Sequence, residues 1–315
     1  MTNRPQLTVL GSLNMDISVT VPRLPGPGAT VVGSAARFTP GGKGANQAVA
    51  AARLGAAVRM VGCLGDDEFG RQLLAALRTE GVNVGALRVV PGVPTGLAMI
   101  SVDQAGENLI TVAPGANHQV GPADVAAAES NRDILVISAE IPAPAIIEAL
   151  AQAGPCILNL APAPETPAAA NALVAAAGTD LDWLVVNESE AAAVLGRPVD
   201  GLADAAQAAT ELTARGPRHA VVTAGAHGAA LASADDPDGA VTIEGFRVPV
   251  IDTVGAGDTF VGALAVALAA GIPAPEATRA AAAAGAAAVT RHGAQTAMPR
   301  PADILAATGV TWPVA

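Results

Sequence analysis

Tyrosine is absent from this chain, aromatic residues make up only 2% of it, and lysine occurs once, at position 43. With so few large rings, the core has to be filled by alanine, valine and leucine, which bring backbones close together. Two cysteines, Cys63 and Cys156, fall in apolar, strand-like runs. That number and setting exclude a disulfide framework and point to reduced core thiols. The formal charge is −11 and no basic run occurs. Nucleic acid is therefore excluded as a partner, because neutralising phosphates needs clustered Lys and Arg. Long apolar runs are scarce as well: the longest begins at Phe260 and ends at Pro273, too short and too glycine-punctuated to cross a bilayer. The start, MTNRPQLTVLGS, lacks the charged stub and apolar stretch of a secretion signal. No membrane partner is expected, and the cytoplasm is the expected compartment.

Several site motifs are missing too. Gly42-Lys43 is followed by Gly44, and Arg37 stands five positions before Gly42, so there is no G-x-x-x-x-G-K-[ST] loop. GSLNMD follows the first predicted strand where a dinucleotide fold would have G-x-G-x-x-G. His118, His219, His227 and His292 show no metal-ligand spacing with one another or with either cysteine, and no serine-nucleophile motif occurs.

What is present is a long, apolar chain: 315 residues, 51% of them hydrophobic, enough for one large core. Short β-branched runs at 7–12, 58–63, 134–138, 156–160, 183–187 and 219–224 alternate with Ala/Leu-rich helical patterns at 45–55, 69–81, 144–154, 188–196 and 202–216. That alternation predicts an α/β fold, a doubly wound, mostly parallel sheet flanked by helices. Residues 16–40 and 95–118 break the rhythm with period-2 patterning and Gly/Pro turns. They predict a small β-sheet lid over the main sheet, within a single α/β domain spanning 1–315. The tail predicts an Ala-rich helix near 276–290 and a short final helix.

Ligands of such sheets bind beyond the carboxyl ends of the strands. There the chain places Asn14 and Asp16, Glu140, Asn159, Asn187 and Glu190, and Thr223 with Gly225 and Gly228. Singly, each reads as a helix cap; together they converge on one crevice. Asn14 and Asp16, two apart on an extended chain, point the same way and suit adjacent sugar hydroxyls. Asn187 and Glu190, three apart, fit a capping pair, or else Glu190 holds a hydrated Mg²⁺ bridging nucleotide phosphates. Lys43 sits in Gly41-Gly42-Lys43-Gly44-Ala45-Asn46, a compact point charge between flexible glycines. Asp258 follows Gly255-Ala256-Gly257 where an apolar helix begins. Bare helix-start amides there form an anion hole, and a carboxylate beside it suits a base that deprotonates an alcohol attacking a phosphate.

GSLNMD, GGKGANQAVAAARLGA, GDDEFG, LNLAPA, NESEA, TAGAHG, DTVGAGDTF and VTRHGAQ, in that order over residues 7–300, resemble the PfkB-type (ribokinase-like) carbohydrate kinase family. The resemblance implies a large α/β domain with a β lid that pairs with a second subunit's lid, giving a homodimer, and ATP-dependent phosphorylation of the 5-hydroxyl of D-ribose. It implies that Asn14, Asp16, Gly42, Lys43, Asn46 and Glu140 hold the sugar. Asn187, Glu190, Thr223, Gly225, Gly228 and Gly257 would serve ATP and its Mg²⁺. Asp258 would be the base, with Gly255, Ala256 and Gly257 as anion hole. A monovalent cation, K⁺, would sit beside that hole on Asp252 and the carbonyls of Val254, Ala288, Arg291 and Gly293. Two positions depart from the family: Ala297 where a serine is frequent near the cation, and Ala282 where a polar residue often meets adenine. Rival readings are a kinase for 2-deoxyribose, a nucleoside or a sugar phosphate, and a sugar- or nucleotide-binding protein without catalysis.

Overall fold

The computed structural model describes residues 4–128, 134–152, 154–164 and 166–314. Its strands are β1 (Gln6–Leu10), β2 (Asn14–Thr20), β3 (Arg37–Gly41), β4 (Ala57–Gly65), β5 (Asn83–Val90), β6 (Gly96–Val102) and β7 (Asn108–Ala113). The second half adds β8 (Ile134–Ser138), β9 (Cys156–Asn159), β10 (Trp183–Asn187), β11 (His219–Thr223), β12 (Gly228–Ser233) and β13 (Asp236–Glu244). The helices are α1 (Lys43–Arg53), α2 (Glu68–Thr79), α3 (Pro122–Ala128), α4 (Ala143–Gln152) and α5 (Pro167–Ala177). They continue with α6 (Glu188–Leu195), α7 (Gly201–Thr213), α8 (Ala256–Ala269), α9 (Ala274–Ala288) and α10 (Pro301–Thr308).

The main sheet has nine strands in the order β13-β12-β11-β10-β9-β8-β1-β4-β5. From β11 to β5 the pairing is parallel, and β12 and β13 add antiparallel strands at one edge. Apart from the edge strand β5, the parallel strands are buried on both faces, as their continuous apolar runs require. Successive side chains serve opposite layers. Leu7, Val9, Val136 and Val185 face a core shared with α1, α2, α8 and α9. Leu10, Leu135, Ile137 and Val186 face a core shared with α3 to α7. Alanines dominate the helix sides of both layers, which is how a chain poor in rings closes its interior.

The interrupted stretches form a second sheet, β3-β2-β6-β7, with β2 parallel to β6 and antiparallel pairs on either side. Phe38 of β3 stacks on Phe69 of α2, ring centroids 6.0 Å apart. β2 follows β1 after only Gly11–Leu13, and β3 ends one residue before α1 begins. Both sheets therefore hand the chain over at the carboxyl edge of the main sheet, where the polar strand ends gather.

Candidate active site

Helix α8 opens at Gly255, whose φ of +76° is a left-handed conformation. A Cβ there would lie 3.1 Å from Ala294 Cα, so glycine serves both the turn and the close approach of the following loop. Ala256 N–H turns back to the Thr253 carbonyl and Thr259 N–H bonds Gly255 O. The amides of Gly257 and Asp258 find no backbone acceptor among the described residues, as expected for a first helical turn. These donors and the helix dipole favour an anion.

Asp258 occupies the third helical position and is 8% exposed. Its Oδ2 accepts from Asn46 Nδ2 at 2.9 Å and its Oδ1 from Gln47 Nε2 at 3.2 Å. Gln47 also donates to Asn159 Oδ1 at 2.9 Å, tying α1 to the end of β9. Asn46 Oδ1 and Gln47 Oε1 are buried without a partner among the described residues. Buried acceptors of this kind are rare unless a ligand or water completes them.

Beside Asp258 lies a polar cluster at the ends of β1 and β8. Glu140 Oε2 accepts from the Ser12 hydroxyl at 2.5 Å, Asn14 Nδ2 at 3.2 Å and the Lys43 amide at 3.4 Å. Asn14 Oδ1 accepts from Asn117 Nδ2 at 2.7 Å, and Asn117 is itself bonded to both backbone groups of Leu13. Gly42, with φ +87°, lets α1 start against this strand: a Cβ there would sit 2.5 Å from the Asn14 nitrogen. Lys43 is half-buried. Burial pulls its ammonium down, but Asp258, Glu140, Glu190 and Asp16 together raise it above the ordinary lysine value. Burial, then Glu140 and Asp258, push the Asp16 carboxyl up to about 7 against the pull of Lys43. Burial likewise pushes Glu190 up to about 7, with the Asn187 amide and Lys43 opposing and Asp258 assisting. One cation thus balances a group of carboxylates that could not all be ionised alone.

On the other side of the same helical turn, Ala256, Gly257 and Phe260 line a cavity of about 780 Å³. Thr223, Gly225 and Gly228 at the end of β11 form one wall, and Phe246, Val248 and Ala282 belong to its apolar end. The loop after α9 closes against this turn through Asp252, whose carboxylate accepts from Val254 N–H at 3.0 Å and Gly293 N–H at 2.9 Å.

The pattern of the "pfkB family carbohydrate kinase" matches residues 4–301. The chain belongs to the PfkB family of carbohydrate kinases. Within the family it is 38% identical over 308 residues to ribokinase of Schizosaccharomyces pombe, covering 93% of this chain and 94% of that one. Ribokinase of Haemophilus influenzae is 36% identical over 304 residues, 94% of this chain and 96% of the relative. Among solved structures, Arabidopsis thaliana ribokinase complexed with ribose and ATP superposes with a TM-score of 0.83 at 31% identity, covering 96% and 98% of the two chains.

The two-sheet fold expected from the sequence is the one observed, and the family pattern spans nearly the whole chain. Asn14, Asp16, Lys43, Asn46, Glu140 and Asp258 come together in one polar cluster. Thr223, Gly225, Gly228, Ala256, Gly257 and Ala282 line the cavity. Asn187 and Glu190 form a capping box at the start of α6, each accepting the other's backbone N–H at 2.8 Å. The sequence offered capping and Mg²⁺ binding for this pair; the capping is present, and Glu190 still lies within the electrostatic reach of Lys43 and Asp258. Arg291 sends its side chain to Asp303, away from the anion hole, and the Ala288 carbonyl accepts from Arg291 N–H at 3.3 Å. Sequence reasoning missed Gln47, Asn117 and Ser12, which hold Asp258, Asn14 and Glu140. Gln47 adjoins Asn46 inside a motif already singled out, but nothing in its spacing says that its amide turns inward. Phe246 was missed because the stretch between Glu244 and Asp252 matches no motif that marks it as part of a site.

Proposed function

We propose that the protein transfers the γ-phosphoryl group of ATP to the 5-hydroxyl of D-ribose, giving D-ribose 5-phosphate and ADP. One observation carries this reading: a single turn of α8 belongs to both half-sites. Ala256 and Gly257 border the nucleotide-sized cavity, and the carboxylate of Asp258, from the same turn, accepts from Asn46 and is coupled electrostatically to Lys43 and Asp16 of the polar cluster. A phosphate over the turn and a hydroxyl beside Asp258 are then adjacent.

In this reading Asp16, Asn14, Asn46, Lys43 and Glu140 hold the sugar. Asp16 accepts from hydroxyls once ionised, and the orphaned Asn46 Oδ1 accepts from another. Asn46 and Gln47 fix the Asp258 carboxylate so that it takes the proton from the attacking hydroxyl. The sugar oxygen forms its bond to the γ-phosphorus as the bridge to the β-phosphate breaks. In a loose phosphoryl transition state that proton leaves late, so a carboxylate suffices as base. The helix start alone contributes about 0.3–1 kcal/mol, so the Gly257 and Asp258 amides share the developing charge with other groups.

Mg²⁺ characteristically takes one or two carboxylates and otherwise waters and phosphate oxygens. Glu190 fits that role, and among the described residues no group of three or more His, Cys, Asp or Glu forms a dedicated metal cage. For K⁺, the Asp252 carboxylate with the carbonyls of Val254, Ala288, Arg291 and Gly293 is an all-oxygen donor set of the kind hard cations take. Asp252 already binds that loop to the entry of α8, so a cation there would help orient the anion hole. In the small sheet, β3 and β7 are edge strands. Phe38, Met99, Leu109, Ile110 and Val112 are exposed apolar side chains on it. We assign this lid as the contact with a second subunit in a homodimer, which would cover both the unpaired edges and these apolar side chains. Among the described residues no helix is long and apolar enough to cross a membrane.

The test is ADP release by the purified protein with D-ribose, ATP and Mg²⁺, with and without K⁺, the sugar product being identified by mass and phosphorus NMR. Phosphorylation at the 5-position supports the reading. Faster turnover on 2-deoxyribose would shift it to the deoxy sugar, and ATP binding without transfer to any sugar would leave only a binding protein.

A further inference from the structure

The apolar end of the cavity raises the question of how a nucleobase is chosen. Helix α9 turns Ala282, Gly285 and Ala286 toward it, and Val289, which caps the helix, continues the row, positions spaced as one helical face and without a polar side-chain atom among them. Facing them are Phe246 and Val248. The Arg279 guanidinium lies 5.7 Å from the centroid of the Phe246 ring, a cation–π contact that steadies a flat shelf from outside.

Three lining side chains carry a hydrogen-bonding group: Thr223, Thr253 and Arg247. The Thr223 hydroxyl donates to the Val186 carbonyl at 3.4 Å. Thr253 lies two residues before Gly255, at the phosphate end. Arg247 is exposed and has no ion-pair partner among the described residues. As a donor only, it gives no preference for adenine, whose edge alternates acceptor and donor, over guanine, which offers two acceptors.

We propose that the phosphoryl-donor site is base-tolerant, and that purine nucleoside triphosphates besides ATP, GTP and ITP among them, support the reaction. The inference rests on the cavity being the nucleotide site proposed above. The chemistry is unchanged: the γ-phosphorus exchanges its bond to the β-phosphate oxygen for one to the sugar oxygen, Asp258 takes the proton, and the nucleoside diphosphate leaves. The physical reason is selectivity by shape. An apolar pocket rejects a near-isostere by roughly 10–200-fold, whereas a pocket built to hydrogen-bond its ligand rejects the wrong one by about 10⁴–10⁵-fold.

The experiment measures kcat/KM for ATP, GTP and ITP with D-ribose on the full chain, alongside calorimetric binding of ADP and GDP without sugar. GTP and ITP within roughly 200-fold of ATP, and GDP within a similar factor of ADP, are the expected results. In Ala282→Asn, which puts an amide on the α9 wall, the ATP-to-GTP ratio is expected to move away from the wild-type value. Discrimination against both GTP and ITP beyond that range overturns the inference while leaving the kinase reading intact. Failure of both ADP and GDP to bind overturns the nucleotide reading of the cavity itself. Binding of both diphosphates without transfer to ribose keeps base tolerance and removes only the sugar assignment.

Discussion

At the scale of single residues, the site depends on carboxylates held in different states by their neighbours. Asp258→Asn is expected to lower turnover by roughly 10²–10⁴-fold while ADP binding measured by calorimetry stays close to wild type. An Asn variant with near-normal turnover would remove Asp258 from the role of base. Asp16 gives a pH signature. Its carboxyl titrates near 7 in the folded protein because of burial, Glu140 and Asp258, against an ordinary value of 3.8. Between those values the unfolded chain has released a proton that the folded chain still holds, so folding binds protons and stability falls as pH rises. The contribution is fully present below about 4 and lost by about 7. Partly buried carboxylates such as Glu80, lowered by its hydrogen bonds from Arg53, push the other way, so the measurement is a difference. The melting temperature of wild type minus that of Asp16→Asn is expected to fall across this window, and a pH-independent difference would contradict the burial argument. At this scale the sequence was most legible where chemistry needs a rare residue, as with the lone Lys43 or Asp258 among glycines. It was least legible for Gln47 and Asn117, ordinary amides whose orientation depends on packing between distant segments.

At the scale of elements, the handover between the two sheets is fastened by one side chain. Asp67 caps α2 by accepting from Gly70 N–H at 2.8 Å, and also accepts from the Thr95 N–H at 2.7 Å and hydroxyl at 2.6 Å. The Thr95 oxygen in turn accepts from Gly65 N–H at 3.0 Å. β6 therefore leaves the body of the protein from a fixed point at the end of β4. Removing a cap costs about 0.5–2 kcal/mol, and stranding the buried Thr95 amide adds about 1–3 kcal/mol. Asp67→Ala is expected to lower the melting temperature and to raise KM for the sugar while KM for the nucleotide holds; equal rises in both would argue against a role confined to the small sheet. The inner parallel strands were readable because they are buried on both faces and written largely in Val, Ile and Leu. β12 and β13 were not, since GAALAS is alanine-rich and imitates a helix, and β5 is partly exposed with no clean alternation. α3 and α5 were missed for a related reason: α3 is short, and α5 sets alanine on its exposed side as well as its buried one, so neither writes a clear apolar stripe in the sequence.

For the whole molecule, the small sheet presents Met99 on β6 and Ile110 on β7, 47% and 51% exposed, one on each face, since Met99 pairs with Thr111 and Ile110 with Ile100. Isolated apolar side chains are ordinary on a surface; a contiguous set on a sheet with free edges calls for a partner. Sedimentation of the wild type is expected to show a dimer, and the double substitution Met99→Lys with Ile110→Lys a monomer of unchanged circular dichroism. A wild-type monomer at assay concentrations would remove the lid-to-lid contact. The charge of −11 bears on how substrate arrives. An anionic nucleotide approaches against the mean field, so added salt is expected to speed its association by screening the repulsion, a trend that stopped-flow mixing would expose by its sign.

Lys43 gives the molecule an unusual analytical property. Apart from the chain terminus it is the sole primary amine, and it is shielded by its neighbours and kept protonated by Asp258, Glu140, Glu190 and Asp16. Acylating reagents attack the neutral, accessible form, so folded protein at neutral pH should take up label at this side chain slowly, and opened protein readily. Mass-spectrometric adduct counts would then report how often the crevice comes apart, with no engineered probe. Rapid modification of intact protein would show that the ammonium is not sequestered.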